Sequence, residues 1–181
     1  MSIKLVVGLG NPGEKYKSTR HNIGRDLVES LRGDPPPLPT PVEWFVTQKR
    51  YMNETGIEVA EVARYKRIRS DEILVIMDEF QIPFGQIKIL KNGSDGGHNG
   101  LHSVLDSLGS QDVPRIRVGV KADEMSSYKD PADFVLARFS KAETRQLELR
   151  RPKLETAIFM AINQGLDSAM NKFNGVWLDA A

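Results

Sequence analysis

The sequence predicts a single three-layer α/β domain, in which a twisted, mixed and mostly parallel sheet carries helices on both faces. Short apolar runs that are typical of buried strands alternate along the chain with longer segments whose apolar residues recur at helical spacing. The length of 181 residues is close to that of one domain. Apolar residues make up 40% of the chain and charged residues 27%, which predicts a folded core rather than disorder. We therefore expect residues 1–181 to form one domain.

Two predicted strands occupy the first half of the chain. Ile3–Val7 is a mostly apolar run that ends at Gly8, and Ile73–Met77 is a stronger apolar run that ends at Asp78. Two helices are predicted between them, because apolar residues recur every three or four positions. The positions concerned are Ile23, Leu27, Val28 and Leu31 in the first helix, and Ile57, Ala60, Val62, Ala63 and Tyr65 in the second.

The second half of the chain continues the alternation. Gln86–Leu90 and Arg115–Val120 alternate polar and apolar residues, which is typical of strands with one buried face. A helix is predicted between them from the spacing of Leu101, Val104, Leu105 and Leu108. Residues 141–173 are predicted to form C-terminal helices. Pro152 is expected to start the second of these, because proline lacks the N–H that a helix interior needs.

One segment of the chain is unusually rich in proline. Residues 33–41 contain five prolines, which is too many for a helix or a central strand. We predict that this segment is an extended, polyproline-like loop within the domain rather than a linker between domains.

Composition narrows the chemistry that the protein can perform. There is no cysteine, which excludes disulfides, thiolate metal sites and a cysteine nucleophile. The histidines available for imidazole chemistry are His21, His98 and His102. The formal charge of +1 requires any nucleic-acid site to be a local basic patch. No apolar run approaches the roughly 20 residues of a membrane span, and the N terminus lacks a signal-peptide pattern. These features predict a cytoplasmic protein with no membrane contact.

The segment Gly8–Gly13 follows the first strand and matches the pattern G-x-G-x-x-G of dinucleotide-binding sites. In such sites the third glycine lies within the opening helix, whereas here helical periodicity begins only near Ile23. An acidic residue at the end of a second strand, about 20 positions further on, is also missing. A nucleotide-dependent oxidoreductase therefore remains only an alternative. A tight turn explains the glycines, but it does not explain why Asn11 and Arg20–Asn22 are placed there, so these side chains are expected to have a function.

The segment Gly93–Gly100 is a glycine-rich loop between a predicted strand and a predicted helix. Its backbone N–H groups could bind an anion or an oxyanion, but the Lys-Ser/Thr ending of an ATP-binding P-loop is missing. Asn99 is predicted to cap the helix that begins near Leu101. His98 is interpreted first as a structural hydrogen-bonding residue and second as a catalytic one, and His102 as a surface or core residue of the helix.

Polar side chains follow the carboxyl ends of two predicted strands, where α/β sheets place their ligands. Asn11 lies just beyond the first strand, and Asp78 and Glu79 follow the second. The sequence contains neither the G-x-S-x-G motif of serine hydrolases nor the H-E-x-x-H motif of zinc hydrolases. A histidine and a carboxylate that activate water remain as the favoured chemistry. The alternative is that Asp78 only caps a segment or forms a salt bridge.

Five blocks of residues occur in an order that matches a known family. They are Val7–Gly13, Thr19–Gly24, Tyr51–Asn53, Asp78–Glu79 and Gly96–Gly100. With them, nearly all of residues 3–173 resembles the bacterial peptidyl-tRNA hydrolases, although the stretch from about Gly33 to Arg50 is shorter and more proline-rich than usual. The resemblance implies a monomeric α/β domain, without cofactor, metal or obligate protein partner, that hydrolyses the ester between peptide and tRNA.

The resemblance also implies roles for individual residues. His21 matches the catalytic base of the family, and Asp78 matches the aspartate that supports it. The positions that match the substrate site are Asn11, Tyr16, Met52, Asn53, His98 and Asn99. Ester hydrolysis requires a positioned water and stabilisation of the tetrahedral oxyanion, so no metal is chemically required. We expect Asn53 and Asn99 to donate to the water or the oxyanion, and Asn11 to anchor the substrate.

The tRNA body is a polyanion, so basic residues near the catalytic loop are candidates for phosphate contacts. We select Lys91, beside the glycine-rich loop, and Arg117, on the neighbouring predicted strand. A catalytically inactive binding protein on the same scaffold is the remaining alternative, because a fold does not guarantee an activity. Release of tRNA from a model ester substrate distinguishes the two.

Overall fold

The computed structural model describes residues 2–33, 37–38 and 40–178, and at its centre is a five-stranded sheet. The strands are β1 (Leu5–Gly8), β2 (Glu43–Val46), β3 (Ile73–Pro83), β4 (Ile87–Leu90) and β5 (Arg115–Lys121). Their order in the sheet is β2-β1-β3-β5-β4. Neighbouring strands are parallel, except that β4 and β5 are antiparallel. The predicted mixed and mostly parallel sheet is thus confirmed.

Helices cover both faces of the sheet. They are α1 (Ile23–Gly33), α2 (Thr55–Lys66), α3 (Asn99–Leu108), α4 (Pro131–Leu136), α5 (Lys141–Asn163) and α6 (Leu166–Phe173). Buried side chains of α1, α5 and α6 pack with Ile76 in one apolar cluster, whereas those of α2 and α3 pack with Met77 in a second one. Because consecutive residues of a strand point to opposite faces, the two clusters lie on opposite sides of the sheet. The structure therefore has the three layers that the sequence predicted.

Pro152 lies inside α5, and the prediction that it starts a helix is wrong. A proline in a helix interior costs about 3 kcal/mol. The apolar face of α5 continues beyond it, however, with Leu154 and Ile158 buried in the core, and burial of each such side chain contributes about 1.5 to 3 kcal/mol. Burial therefore outweighs the lost hydrogen bond. The helix ends instead before Gly165, whose φ of 88° is strained for other residues.

β3 is longer than predicted, and Asp78 lies within it rather than at its end. The pairing of β3 with β1 stops at Ile76, which lies opposite Gly8, while its pairing with β5 continues past Asp78. β1 therefore ends just before the level of Asp78, which leaves space beside this residue for side chains from the following loop. The residues from Phe80 to Pro83 are half-buried or exposed, so this part of β3 lacks the continuous apolar pattern that identified the first half.

Two short elements, β2 and α4, were not predicted from the sequence. β2 forms the edge of the sheet, paired in parallel with β1, within the stretch that departs from the family pattern. α4 has Pro131 in its first turn, after Asp130, whose side chain accepts a hydrogen bond from the N–H of Ala132. Both elements are too short for a periodic pattern to identify them.

Two further predictions concern the proline-rich loop and membrane spans. Gly33, the predicted first residue of the loop, is the last residue of α1. Residues 37, 38, 40 and 41 belong to no helix or strand, whereas 34–36 and 39 lie outside the described residues. In the described part of the chain, no helix combines the length and the apolar character that a membrane span requires.

Candidate active site

Three candidate residues meet near the carboxyl ends of β1 and β3. His21 lies in a one-turn 3-10 helix, Arg20–Asn22, that leads directly into α1. Asp78 lies in β3, and His98 immediately precedes α3. Nδ1 of His21 lies 2.8 Å from Oδ1 of Asp78, and Nε2 of His98 lies 3.0 Å from the same oxygen. The fold therefore joins side chains that are 57 and 20 positions apart in the sequence.

Close packing of α1 against β3 brings His21 to Asp78. A Cβ atom on Gly24, in the first turn of α1, would lie 2.1 Å from the carbonyl oxygen of Ile76, so only glycine lets the helix approach the strand this closely. Gly24 follows His21 by three residues, and Ile76 precedes Asp78 by two. The glycine contact therefore sets the distance between the two catalytic candidates.

Asp78 is buried, with 2% of its surface exposed, and its neighbours favour the ionised carboxylate. Burial by itself raises the pKa of an aspartate, because the charged form loses its hydration. The imidazoles of His98 and His21, together with their hydrogen bonds, outweigh burial and hold the pKa of Asp78 well below its ordinary value. An ionised carboxylate only accepts hydrogen bonds, so both histidines donate an N–H to it.

The positions of the ring protons follow from these contacts. His21 donates from Nδ1, which leaves Nε2 as the nitrogen that can accept a proton. His98 accepts a hydrogen bond on Nδ1 from the backbone N–H of Leu101 at 3.1 Å, so its proton lies on Nε2. His98, and not Asn99, therefore caps α3, and the predicted cap is wrong. The imidazole supplies the acceptor one position earlier, and Asn99 becomes the first helical residue.

The side chains of His21, Asp78 and His98 also have the composition of a metal site, since one ligand atom from each lies within 4.8 Å of the others. A histidine that binds a metal normally carries its proton on the other ring nitrogen. In His98 that other nitrogen accepts from Leu101, so a metal on Nε2 would require an imidazolate or loss of the helix cap. The hydrogen bonds therefore favour a histidine–aspartate pair supported by a second histidine.

Asn11 connects the segments that surround this pair. Its side-chain oxygen accepts from the N–H of Met52 at 2.8 Å, and its backbone forms two hydrogen bonds with the side chain of Asn22, at 2.8 and 2.9 Å. Asn22 directly follows His21, so Asn11 stabilises the turn that carries the candidate base. Because its oxygen is engaged, the amide NH2 of Asn11 is the group that can donate to a substrate.

A cleft of about 540 Å³ opens at the histidine–aspartate pair. Its lining includes seven of the predicted site residues, namely Asn11, His21, Met52, Asn53, Asp78, His98 and Asn99. Tyr16 stands outside this lining, and its ring meets that of Tyr51 edge to face, with 6.0 Å between the ring centroids. The opposite wall, which the sequence analysis did not identify, includes Val135 and Leu136 of α4.

The comparisons with known proteins agree on one family. A model of the Peptidyl-tRNA hydrolase family matches residues 5–35 and 41–180. The chain belongs to the peptidyl-tRNA hydrolase family. The resemblance predicted from the sequence is thereby confirmed, and the chain is an enzyme, a hydrolase connected with translation.

Similar proteins match the chain over nearly its whole length. The peptidyl-tRNA hydrolase of Fervidobacterium nodosum is 38% identical over 182 aligned residues, which cover 95% of this chain and 96% of the relative. That of Kineococcus radiotolerans is 34% identical over 192 aligned residues, with 94% and 96% covered. A mutant peptidyl-tRNA hydrolase from Acinetobacter baumannii has a crystal structure that superposes with a TM-score of 0.83 at 27% identity, with 98% of this chain and 97% of that chain covered.

Membership of the peptidyl-tRNA hydrolase family also accounts for the turn Gly8–Gly13. A single 3-10 turn, Glu14–Tyr16, follows it, and α1 begins only at Ile23. A dinucleotide site needs a helix whose N terminus starts at the glycines and faces the pyrophosphate. The turn instead places Asn11 against the catalytic segment, so the structure does not favour the oxidoreductase alternative.

Arg20, which was not selected from the sequence, supports the turn that carries His21. This residue precedes His21 and is 1% exposed. Its guanidinium donates to the carboxylate of Glu143 at 2.9 Å and also pairs with Glu124, and its Cζ atom lies 4.3 Å from the ring centroid of Phe134. These partners lie more than 100 positions away, so no local pattern in the sequence indicates them.

The contacts of Arg20 tie the turn that carries His21 to the segment that contains α4. The backbone N–H of Arg20 donates to the carbonyl of Ala137 at 3.1 Å, directly after α4. α4 in turn contributes Val135 and Leu136 to the cleft. The candidate base and one wall of the cleft are therefore held by the same buried cation.

The two predicted phosphate contacts differ in their surroundings. Arg117 is largely buried and donates to Glu79 at 2.9 Å and to the carbonyl of Ser94 at 3.2 Å, so it holds the glycine-rich loop to β5. Lys91 is about half exposed and pairs with Asp167 at 2.6 Å. Arg117 thus has a structural partner on both sides, whereas the Lys91 ammonium remains accessible to solvent.

Lys91 also lies further from the catalytic pair than its place in the sequence suggests. It follows Leu90, which lies opposite Arg115 in the sheet, whereas Asp78 lies opposite Val118. Three residues of a strand span roughly 10 Å. Lys91 therefore lies near the amino-terminal end of β5, away from the level of Asp78. The glycine-rich loop runs from Lys91 back to His98.

Proposed function

We propose that the protein hydrolyses the ester bond that joins a peptide to tRNA, with His21 as the general base and Asp78 as the residue that orients it. The observation that carries the proposal is the 2.8 Å hydrogen bond between Nδ1 of His21 and a buried, ionised Asp78. This bond leaves Nε2 of His21 free of a proton and available to water. The family and the names of the relatives support peptidyl-tRNA as the substrate.

In the proposed reaction, Nε2 of His21 removes a proton from water while the water oxygen attacks the ester carbonyl carbon. Asp78 stabilises the imidazolium that forms. The amides of Asn53 and Asn99, which line the cleft beside the pair, donate hydrogen bonds to the water or to the oxyanion. When the bond from the carbonyl carbon to the ribose oxygen breaks, the imidazolium returns its proton to that oxygen. The products are free tRNA and a peptide carboxylic acid, which ionises by releasing its proton to solvent.

The cleft suits the peptide end of such a substrate. Apolar surface comes from Met52, Phe80, Val135 and Leu136, and the amide of Asn11 donates to a peptide carbonyl. A cleft of about 540 Å³ holds the scissile end of the substrate but not a tRNA, whose body must lie on the surface outside. Lys91 and Arg117, at a greater distance from the cleft, are the proposed tRNA phosphate contacts, and Tyr16 beside the cleft is a proposed substrate-binding residue.

Release of free tRNA from N-acetyl-aminoacyl-tRNA by the purified protein, in EDTA and without added nucleotide, tests the proposal. A catalytically inactive binding protein would bind this ester without cleaving it, and an oxidoreductase would need its nucleotide. Intact substrate under conditions in which another peptidyl-tRNA hydrolase is active would rule the proposal out. The monomeric state and the cytoplasmic location stay predictions, of which light scattering after gel filtration tests the first.

A further inference from the structure

We infer that His98 is a positioning residue that couples Asp78 to the amino terminus of α3 and fixes the carboxylate that orients His21. The catalytic role of His98 rests on the proposed function. The positions of the ring protons do not rest on it, because they follow from hydrogen bonds within the protein. His98 acts through Asp78 and requires no contact of its own with the substrate.

Both ring nitrogens of His98 are engaged by the protein. Nδ1 accepts from the backbone N–H of Leu101 at 3.1 Å, and Nε2 lies 3.0 Å from Oδ1 of Asp78. A backbone N–H only donates, so Nδ1 carries no proton and the single ring proton lies on Nε2. His98 is therefore held as a neutral ring in one tautomer, and it cannot serve as a second base without losing the cap of α3.

The first turn of α3 makes this arrangement rigid. The carbonyl of His98 accepts from the N–H of His102 at 2.9 Å, so the backbone of His98 is held as well as its ring. Gly100 packs so closely on Met52 that a Cβ atom would lie 2.3 Å from the methionine sulfur. With only 9% of its side chain exposed, His98 cannot rotate away from Asp78 without breaking the helix cap. α3 is thus a fixed support for the carboxylate.

The shared acceptor has a positional consequence for the base. Oδ1 of Asp78 accepts from both His98 and His21, whose ring centroids are 4.9 Å apart. Two N–H donors hold a carboxylate oxygen more firmly than one does. His98 therefore limits the displacement of the oxygen that orients His21.

Few other charged groups share this environment among the described residues. Asp130, at the start of α4, is the remaining titratable residue in the lining of the cleft. Glu79, the neighbour of Asp78 in β3, is held in an ion pair by Arg117 of β5 at 2.9 Å. Both groups are unchanged in the variants below, so they do not account for a difference between those variants and the wild type.

Two substitutions separate the helix cap from the contact with Asp78. Asparagine is a good cap, but it uses its oxygen on the N–H of Leu101 and its side chain ends one atom short of Nε2. His98→Asn therefore keeps α3 and loses the hydrogen bond to Asp78, whereas His98→Ala loses both. His102→Asn is the matched control. His102 lies on the same helix, its side chain is 71% exposed, and it pairs with Asp95 at 3.3 Å.

Kinetics on N-acetyl-aminoacyl-tRNA provide the first test. We expect His98→Asn to lower kcat about 10- to 100-fold, the equivalent of one hydrogen bond to a charged group. KM should change little, and Tm should fall less than in His98→Ala, which also loses the helix cap. His98→Ala should lower both kcat and Tm, and His102→Asn should change neither. A His98→Asn enzyme with the wild-type kcat, or with a change in KM alone, would overturn the inference.

NMR provides a second test that does not depend on catalysis. The chain has three histidines, so long-range ¹H–¹⁵N spectra can resolve each ring. The ring of His98 should carry a proton on Nε2 and none on Nδ1, as its hydrogen bonds to Asp78 and Leu101 require. An Nδ1–H or charged His98 would contradict the inference even in an active enzyme. If the protein gives these spectra but does not cleave the ester, the inference about His98 is supported and the proposed function fails.

Discussion

Arg20 and Glu143 form an ion pair of 2.9 Å in the interior of the protein, with 1% and 12% of their side chains exposed. The pair joins the residue before His21 to the start of α5. Glu143 also accepts from the N–H of Ser140 at 2.7 Å as part of the capping box of α5. A buried carboxylate that loses its partner keeps its desolvation cost. The position of the turn that carries His21 is therefore linked to the stability of the fold.

Arg20→Gln should lower the free energy of unfolding by about 3 to 5 kcal/mol, because it leaves Glu143 uncompensated. Glu124→Gln is the matched control, since Glu124 pairs with the same guanidinium but is 47% exposed, and its loss should cost less than about 1 kcal/mol. Urea unfolding followed by circular dichroism measures both. Equal losses in the two variants would show that burial does not determine the contribution of these pairs.

His21→Ala should lower kcat about 100- to 10,000-fold, the usual contribution of a general base. The fold should remain intact, because the turn that carries His21 is held by Arg20 and Asn22 rather than by the imidazole. Release of tRNA from the model ester, with Tm measured on the same preparation, tests both statements. A folded His21→Ala protein with wild-type activity would remove His21 from the role of base.

Asp78→Asn should depress kcat clearly, but less than His21→Ala does. An amide oxygen at the position of Oδ1 still accepts from His21 and His98, and the two donors favour the oxygen over the NH2 group at that position. The ring of His21 therefore keeps its orientation, while the imidazolium loses the stabilisation that a carboxylate provides. Single-turnover rates of the two variants rank them directly. Full activity of Asp78→Asn would make the pair untenable as the catalytic unit.

The lowered pKa of Asp78 predicts how stability depends on pH. A carboxyl group whose pKa is lower in the folded than in the unfolded chain stabilises the fold above its unfolded pKa, about 3.9, and this stabilisation is lost as the pH falls toward the folded pKa. Below about pH 4, the free energy of unfolding should therefore fall more steeply in the wild type than in Asp78→Asn. Urea unfolding across the acidic range measures this difference. Parallel curves would mean that Asp78 has the same pKa in both states.

α1 and the first half of β3 could be predicted because a local pattern describes their burial. Leu27 and Leu31 lie four positions apart on one helical face, and both are in the core, as is the whole apolar run Ile73–Met77. The continuation of α5 through Pro152 could not be predicted, because local propensity opposes it and only packing against the sheet outweighs that propensity. The second half of β3 likewise depends on its pairing with β5.

The members of the candidate site could be predicted from motifs, whereas their proton positions could not. Motifs indicate that His21, Asp78 and His98 share a site, but only the structure shows that one oxygen of Asp78 accepts from both rings. The tautomer of His98 depends on its role as the cap of α3, which the sequence analysis assigned to Asn99. Arg20 was missed because an isolated arginine indicates nothing until its distant partners are known.

The proposed phosphate contacts should respond differently to substitution. Lys91→Ala removes a cation whose pair with Asp167 is exposed on both sides, so the free energy of unfolding should change by less than about 1 kcal/mol. Arg117→Ala leaves Glu79, which is 7% exposed, without its partner and releases the carbonyl of Ser94. It should therefore lower stability, and it should also lower kcat by loosening the loop that carries His98. Chemical unfolding and steady-state kinetics separate the two effects.

For Lys91, the structure allows a test that separates a phosphate contact from the ion pair with Asp167. A lost phosphate contact should raise KM with little change in kcat, and it should reduce the logarithmic salt slope of binding by roughly one. Asp167→Asn is the matched control, since it removes the same ion pair but keeps the cation, so KM should stay the same or fall. If Lys91→Ala and Asp167→Asn instead raise KM equally, the ion pair and not a phosphate explains the effect. An unchanged KM and salt slope in Lys91→Ala would place the tRNA contacts elsewhere. The next residues to substitute would be Arg138, which follows α4, and Lys141 and Arg145 in α5.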